Sequence, residues 1–139
     1  MATATIEGSA HIRLKALRRI AQGTGLDTEV ELSDEEKTSF GLSQDDYGSF
    51  LMFNIGVLMT HLELNDETKA AYAALGLLSE FYAPTIEERR LDLLEARYGR
   101  HWDVEDKALV ERQELHGFIA IAYAYPLSVR LFEMVQNRQ

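Results

Sequence analysis

The sequence predicts an all-α fold, a compact orthogonal or up-down bundle of about five to seven helices, formed by a single domain over residues 1–139. Apolar residues recur at three- and four-residue steps in every long segment, which is the period of a helix and not of a strand. Four segments begin with residues that cap helices, and only two prolines interrupt the chain. A chain of 139 residues is long enough to bury a substantial core in one domain.

The most apolar segment is Phe50–Met59, which is predicted to be the central helix of the core. This helix is expected to begin at Ser43, which is suited to cap it, and to fade near Leu64. The run is about half the length of a membrane span, so we expect it to be buried in protein and not in lipid. Asn54 and His61 lie on one side of this helix, and they are either satisfied core groups or the lining of a small-molecule pocket.

The other helices are predicted from their starts and apolar stripes. They cover about 10–22 after Ser9, 33–41 with the capping box Ser33–Glu36, 66–82 after Asn65, 85–98 with a second capping box Thr85–Glu88, and 104–125. Arg89 is expected on the outer face of the helix after Thr85. Pro126 is expected to kink or restart the last helix, after which an apolar stripe should dock on the body or on a second copy. That stripe is anchored at Leu131, Phe132 and Val135.

Small residues inside the predicted helices indicate close helix packing. Alanines and Gly76 make up the middle of the helix after Asn65, and small side chains allow two helix axes to approach closely. Gly56 and Gly117 also lie inside helices, where each glycine costs about 1 kcal/mol relative to alanine. We therefore expect both to be explained by a packing contact.

Charge is unevenly distributed in a chain whose net charge is −9. Residues 1–26 carry one acid and four bases, whereas residues 27–46, called the acidic stretch below, carry eight acids against Lys37 alone. Helix starts favour acids, so this stretch fits either a solvated surface or a face that binds a basic partner. Direct nucleic-acid binding is disfavoured, because it requires a positive face.

No motif for catalysis, metal binding or cofactor binding is present. The absence of cysteine excludes disulfides and thiolate sites, and it fits a reducing, cytoplasmic compartment. The pairs His61–Glu63 and Glu114–His116 are two residues apart, so on a helix their side chains point to nearly opposite sides and cannot bind one ion. The N-terminus lacks the pattern of a signal peptide. We expect no catalytic residue, no metal and no cofactor.

Aromatic and basic residues gather where the helix after Thr85 ends, in the segment RYGRHWD. Tyr98, Arg100 and Trp102 belong to the residue types that dominate binding hot spots. Alternatively, Trp102 fills the core from a loop, while Arg97 and Arg100 bind carbonyl groups at the helix end.

These observations favour a small, acidic, non-catalytic interaction module, an adaptor or inhibitor that binds a basic protein partner. The expected contact residues are Glu29, Glu31, Asp34, Glu35, Asp45, Asp46, Tyr98, Arg100 and Trp102. By analogy at the level of fold alone, small acidic helical proteins of phages and mobile elements often act on nucleic-acid-handling machinery, including CRISPR complexes. Two alternatives remain open: a structural subunit that forms a homodimer through its C-terminal helix, and a ligand-binding or enzymatic bundle with a pocket near Asn54, His61 and His116.

Overall fold

The computed structural model describes residues 9–27, 29–43, 45, 48–78, 80–81 and 83–137, apart from the side chains of 132 and 135–137. Within these ranges the chain forms six α-helices, a short 3₁₀ turn at Gly99–His101 and no strand. The helices are α1 (Ala10–Gln22), α2 (Asp34–Ser39), α3 (Gly48–His61), α4 (Asp66–Ala74), α5 (Ile86–Tyr98) and α6 (Val104–Asn137). The predicted all-α bundle of five to seven helices is confirmed.

The longest helix, α6, is the element on which the others assemble. It has 34 residues, and α1, α3, α4 and α5 all pack along it. At 1.5 Å per residue this corresponds to a rod of about 51 Å. The main core lies between α6 and its neighbours, and its largest fully buried apolar and aromatic side chains include Leu17, Phe40, Leu51, Tyr72, Phe118 and Tyr125. A smaller cluster between α4, α5 and α6 contains Phe81, Leu93, Leu94 and Val110.

Helix α3 buries a single face, so the expectation that it fills the centre of the core is wrong. Its fully buried large side chains are Leu51, Ile55 and Leu58. Phe50 and Phe53, in contrast, expose 50% and 52% of their surfaces. One stripe with a helical period is enough to attach α3 to α6, and Met52 and Met59 beside it are only partly buried against the core. The helix begins at Gly48. Gln44, Asp46 and Tyr47 lie outside the described residues, so the expected cap at Ser43 stays a prediction.

Side-chain caps fix the starts of three other helices as predicted. Ser33 accepts from the backbone of Glu36, and the Glu36 carboxylate accepts from the backbone of Ser33, so α2 begins with a full capping box. Asn65 caps α4, and the hydroxyl of Thr85 accepts the Glu88 amide at the start of α5. Ser9 precedes α1 but makes no side-chain cap hydrogen bond, so that predicted cap is wrong.

Helix α4 ends at Ala74, earlier than the predicted end near residue 82. Gly76 adopts a φ of +73°, and the amide of Leu77 donates to the carbonyl of Tyr72 over 3.0 Å. The Gly76 amide donates to the carbonyl of Ala73, which completes a glycine-based helix end. The apolar pattern continues beyond this point, which is why periodicity alone overestimated the length of the helix.

Helix α6 continues through Pro126 to Asn137, so of the two expectations for Pro126, a kink or a restart, the restart as a separate final helix is wrong. Proline has no N–H to donate to the carbonyl four residues earlier, which here belongs to Ala122. Nε of Arg13 donates to that carbonyl instead, over 2.8 Å. Farther along, Leu131 is half-buried, whereas the side chains of Phe132 and Val135 lie outside the described part of the chain.

Arg89 is fully buried, which corrects the prediction that it lies on the outer face of α5. Its guanidinium donates to four backbone carbonyls, those of Ala21, Gly23, Ala74 and Ala83. These carbonyls lie at or near the C-terminal ends of α1 and α4 and in the loop before α5. Arg89 therefore satisfies helix-end acceptors that would otherwise be buried without partners.

The two mid-helix glycines differ in their surroundings. A Cβ at Gly117 would overlap the carbonyl oxygen of Glu67 and lie 2.8 Å from the Cβ of Ala71. Gly117 is thus required for the close approach of α4 and α6, as the sequence predicted. A Cβ at Gly56 would meet no atom within 4 Å, so the predicted packing role of Gly56 is wrong.

Candidate functional site

An apolar groove with a volume of about 530 Å³ lies between the start of α3 and the C-terminal half of α6. It is lined by Gly41, Leu42, Ser49, Phe50, Phe53, Asn54, Val129 and Glu133. We call this feature the α3–α6 groove. Its size falls within the range of pockets that hold small molecules or the anchoring side chains of a partner.

The walls of the α3–α6 groove follow from the spacing of apolar residues on α3. Phe50 and Phe53 are three residues apart, so they lie on one side of the helix next to the buried stripe. On the other side, the amide of Leu42 donates to the carbonyl of Lys37 over 2.8 Å, which folds the chain after α2 against the core. Leu42 is buried there, and it lines the groove together with the two phenylalanines.

Among the polar side chains of the lining, that of Asn54 has a partner in the core. Nδ2 of Asn54 donates to the hydroxyl of Tyr125 over 3.0 Å, and that hydroxyl donates to the carbonyl of Phe40 over 2.8 Å. Tyr125 is itself fixed, because its ring meets the ring of Phe40 edge-on with centroids 5.0 Å apart. The guanidinium of Arg13 lies 5.7 Å from the centre of the same ring. The expected hydrogen bond of Asn54 is therefore present.

Arg13 links this polar arrangement to the rest of the bundle. Nη1 of Arg13 donates to the carbonyl of Ser39 at the end of α2, over 2.7 Å. Burial lowers the pKa of Arg13 from its ordinary value, while the neighbouring Tyr125 acts in the opposite direction. Arginine remains protonated across the physiological range, so it acts as a permanent donor to the carbonyls that α2 and α6 leave without helical partners.

The acidic stretch presents several carboxylates at the surface. Those of Glu29, Glu31, Asp34, Glu35 and Asp45 belong to exposed residues, whereas Asp46 lies outside the described residues. The stretch contains α2, whose six residues span about 9 Å. The chain that leaves α2 forms one side of the α3–α6 groove, and Glu133 lies in the groove lining itself. The acidic stretch therefore contributes Gly41 and Leu42 to the groove lining.

One acid of this stretch has a structural role. The Glu36 carboxylate pairs with Arg19 of α1 at 2.7 Å, and it also accepts the Ser33 amide of the capping box. Burial by itself would raise the pKa of Glu36. The hydrogen bond from Ser33 and the pairing with Arg19 together outweigh burial, so the pKa lies below its ordinary value. Glu36 thus joins the basic helix α1 to the acidic stretch.

The aromatic and basic residues after α5 lie in a different part of the molecule. Trp102 is half-buried and packs against the smaller core cluster. Tyr98 is 37% exposed and Arg100 is exposed. Arg97 contacts Gln113 and the carbonyl of Asp66, so it joins α5 to α6 and α4 and does not cap the end of α5. These residues share no lining with the α3–α6 groove.

The histidines proposed as pocket residues are not gathered around Asn54. His61 is exposed, and its Nδ1 lies 2.9 Å from the carbonyl of Val57 in its own helix. His116 pairs with Glu67 of α4 at 2.9 Å, and both groups are largely exposed. Among the described residues, no group of three or more acids and histidines could hold a metal ion. Within the same part of the chain, no helix combines the length and apolar character needed to cross a bilayer.

Comparison of the chain with protein-family models, curated proteins and solved structures gave no match. The function must therefore be argued from the groove and the charges around it. The signal for this groove was present in the sequence, because the segment Phe50–Met59 carries more apolar side chains than one buried stripe of a helix needs. Only the packing of α3 on α6 determines which of them remain exposed.

Proposed function

We propose that this protein is a non-catalytic interaction module that binds a basic protein partner and takes an apolar helix face of that partner into the α3–α6 groove. The observation that carries this proposal is the half-exposed pair Phe50 and Phe53 on the wall of a groove of about 530 Å³. An amphipathic helix laid into an apolar groove is a recurring mode of protein recognition.

The exposure of the two phenylalanines supports binding because aromatic side chains are costly to leave in water. Complete burial of a phenylalanine side chain stabilises a protein by about 1.5–3 kcal/mol. Because Phe50 and Phe53 are only half-buried, folding gains part of this free energy at each ring. Aromatic anchors at the centre of an interface supply most of the affinity in many complexes. A partner that covers both rings would therefore gain binding energy that the isolated chain does not use.

The charge of the chain favours a basic occupant. The groove lining contains Glu133, and the acidic stretch that supplies Gly41 and Leu42 to this lining exposes Asp34, Glu35 and Asp45 in a chain of net charge −9. A second copy would bring another chain with the same net charge against this surface, which is unfavourable at close range. A helix with lysine or arginine beside its apolar face would be attracted instead.

A nucleic-acid-handling protein in the cytoplasm is the class of partner that fits this chemistry. Such proteins carry basic faces for phosphate, which an acidic surface complements. An acidic module seated beside such a face would compete with the nucleic acid, which is the action of an inhibitor. If it binds away from that face, it acts as an adaptor.

The proposal is tested by affinity capture from the source cell with the wild-type chain and two matched variants. The groove variant carries Phe50→Ser and Phe53→Ser. The control variant carries Leu91→Ser and Val104→Ser, which also replace large apolar residues that are 39% and 80% exposed. Captured proteins are identified, and their binding is remeasured with purified components at low and high salt.

We expect the capture to yield a basic partner that binds the wild type and the control variant with the same affinity. The groove variant should bind it at least about tenfold more weakly, because two aromatic anchors are lost. Equal binding by all three chains would overturn the groove as the binding surface. Capture of the chain by its own copies, with no basic partner, would favour the homodimer instead.

A further inference from the structure

The orientation of the Asn54 carboxamide is fixed by the hydrogen-bond chain beneath it. The Tyr125 hydroxyl has one hydrogen, which it donates to the carbonyl of Phe40 over 2.8 Å. Toward Asn54, 3.0 Å away, it can therefore only accept, so the Asn54 NH₂ group must face Tyr125. Tyr125 is fully buried and packs against Phe40 and Arg13, so its oxygen is held in place, and the carbonyl of Phe40 can only accept the hydroxyl hydrogen.

This orientation leaves the carboxamide oxygen of Asn54 on the side away from Tyr125. Asn54 lines the α3–α6 groove and Tyr125 does not. Among the described residues, no hydrogen bond to Oδ1 of Asn54 is present. Apart from Ser49 and Glu133 the other lining residues are apolar or glycine, so this oxygen is one of few acceptors in a mostly apolar surface.

We infer that the α3–α6 groove selects an aromatic anchor that carries an N–H donor, namely the indole of a tryptophan on the partner, with Asn54 Oδ1 as the acceptor. This inference rests on the proposed function. An occupant made only of carbon would cover Oδ1 and strip it of water without replacing the lost hydrogen bond. An indole N–H supplies that bond, while the ring is covered by Phe50 and Phe53.

Other donors fit this site less well. The charge of a lysine or arginine matches Glu133 of the lining, but neither side chain brings an aromatic ring to pack on Phe50 and Phe53. A tyrosine hydroxyl donates but is also an acceptor, and the apolar walls would leave that acceptor unpaired. An indole nitrogen only donates, so it matches Oδ1 of Asn54 and brings no acceptor of its own that would stay unpaired.

The inference is tested with fragments on the full-length chain, followed by NMR of the isotope-labelled protein. The probes are indole, 1-benzothiophene and 1-methylindole, which share a bicyclic shape, but only indole carries a donor. In the wild-type chain we expect indole to bind about tenfold more tightly than either analogue, the factor that one hydrogen bond in an apolar setting supplies. In Asn54→Leu this preference should disappear.

The outcomes separate this inference from the proposed function. Equal affinity of the three fragments for the wild-type groove would overturn the indole inference while the groove remained a binding site. Preference for indole that persists in a folded Asn54→Leu chain would also overturn it. If no fragment shifts the resonances of Phe50, Phe53 and Val129, the groove binds nothing and the proposed function fails as well. If Asn54→Leu does not fold, the relative affinities of the three fragments for the wild-type chain still test the indole inference.

Discussion

Arg13 Nε donates a hydrogen bond to the carbonyl oxygen of Ala122 over 2.8 Å, deep inside the bundle. Pro126, four residues later, has no N–H for this carbonyl, so Arg13 replaces the missing helical bond. The same guanidinium binds the carbonyl of Ser39, and it lies over the ring of Tyr125. One side chain of α1 therefore allows α6 to continue through a proline and fixes the residues beneath the α3–α6 groove.

This relationship predicts that the cost of removing Arg13 depends on Pro126. Arg13→Met should lower the free energy of unfolding by about 2–4 kcal/mol, because two buried carbonyls lose their donors. In a Pro126→Ala background, the introduced alanine supplies an N–H to the carbonyl of Ala122, so the same change should cost about 1 kcal/mol less. Urea unfolding of the four chains measures this coupling, and an equal cost in both backgrounds would refute it.

Alanine substitutions at the two mid-helix glycines should have opposite effects. Gly117→Ala should destabilise the fold by about 1–3 kcal/mol, because the new Cβ overlaps the backbone of Glu67. Gly56→Ala meets open space, so it should stabilise the chain by about 0.5–1 kcal/mol through helix propensity. Thermal and urea unfolding measure both effects. A shift in the same direction for the two variants would contradict the different packing of the two helices.

How far the sequence could predict this fold is seen in individual residues. The capping box Ser33–Glu36 is local, so spacing alone identified it. The burial of Arg13 and Arg89 could not be predicted, because arginine is usually exposed and the carbonyls that bind it come from distant helices. The end of α4 at Gly76 was missed because the apolar period continues past it. The exposure of Phe50 and Phe53, and hence the groove, depends on how much of α3 the long helix α6 covers.

The buried phenol of Tyr72 predicts a loss of stability at alkaline pH. Its hydroxyl has no hydrogen-bond partner among the described residues, and burial raises the pKa of Tyr72 to about 12. The unfolded phenol ionises near pH 10, whereas the folded one keeps its proton, so the unfolded state binds fewer protons above pH 10. The contribution of Tyr72 is therefore complete below about pH 10 and is lost as the pH rises toward about 12.

Tyr72→Phe isolates this effect from other groups that titrate at high pH. At pH 7 the variant should be more stable than the wild type by about 1 kcal/mol, because an unpaired buried hydroxyl is removed. Its advantage should grow between about pH 10 and 12. Urea unfolding over a pH series measures both quantities. A variant that is less stable than the wild type at pH 7 would mean that the hydroxyl has a partner in the folded chain.

Neutralising exposed carboxylates of the acidic stretch should slow association with a basic partner. As a probe we choose a synthetic amphipathic helix with tryptophan and leucine on one face and lysine on the other, called the basic probe helix. Asp34→Asn with Glu35→Gln should lower its on-rate by about threefold at low salt and flatten the salt dependence. The dissociation rate should change less, since apolar anchors govern it. Glu36 is left unchanged because it caps α2 and pairs with Arg19.

The matched control for this prediction is Asp92→Asn with Glu95→Gln, which makes the same change in net charge on α5. Both residues are exposed. Arg90 of α5 pairs with Glu114, which lies about 22 Å along α6 from Val129 of the groove. Exposed charges are screened beyond about 8 Å at physiological salt, so under that condition the control should leave the on-rate nearly unchanged and the two variants are compared there. Stopped-flow fluorescence measures both rates, and equal slowing by the two variants would assign the effect to net charge alone.

The central claim, that the α3–α6 groove takes the apolar face of a basic helix, is tested most directly by NMR titration of the wild-type chain with two peptides. One is the basic probe helix, and the other has the same apolar face with glutamate in place of every lysine. We expect the basic probe helix to shift the resonances of Phe50, Phe53, Asn54 and Val129 and to bind at least about tenfold more tightly than its acidic counterpart. Equal affinity of the two peptides, or shifts by the basic probe helix that leave these groove residues unchanged, would contradict the claim.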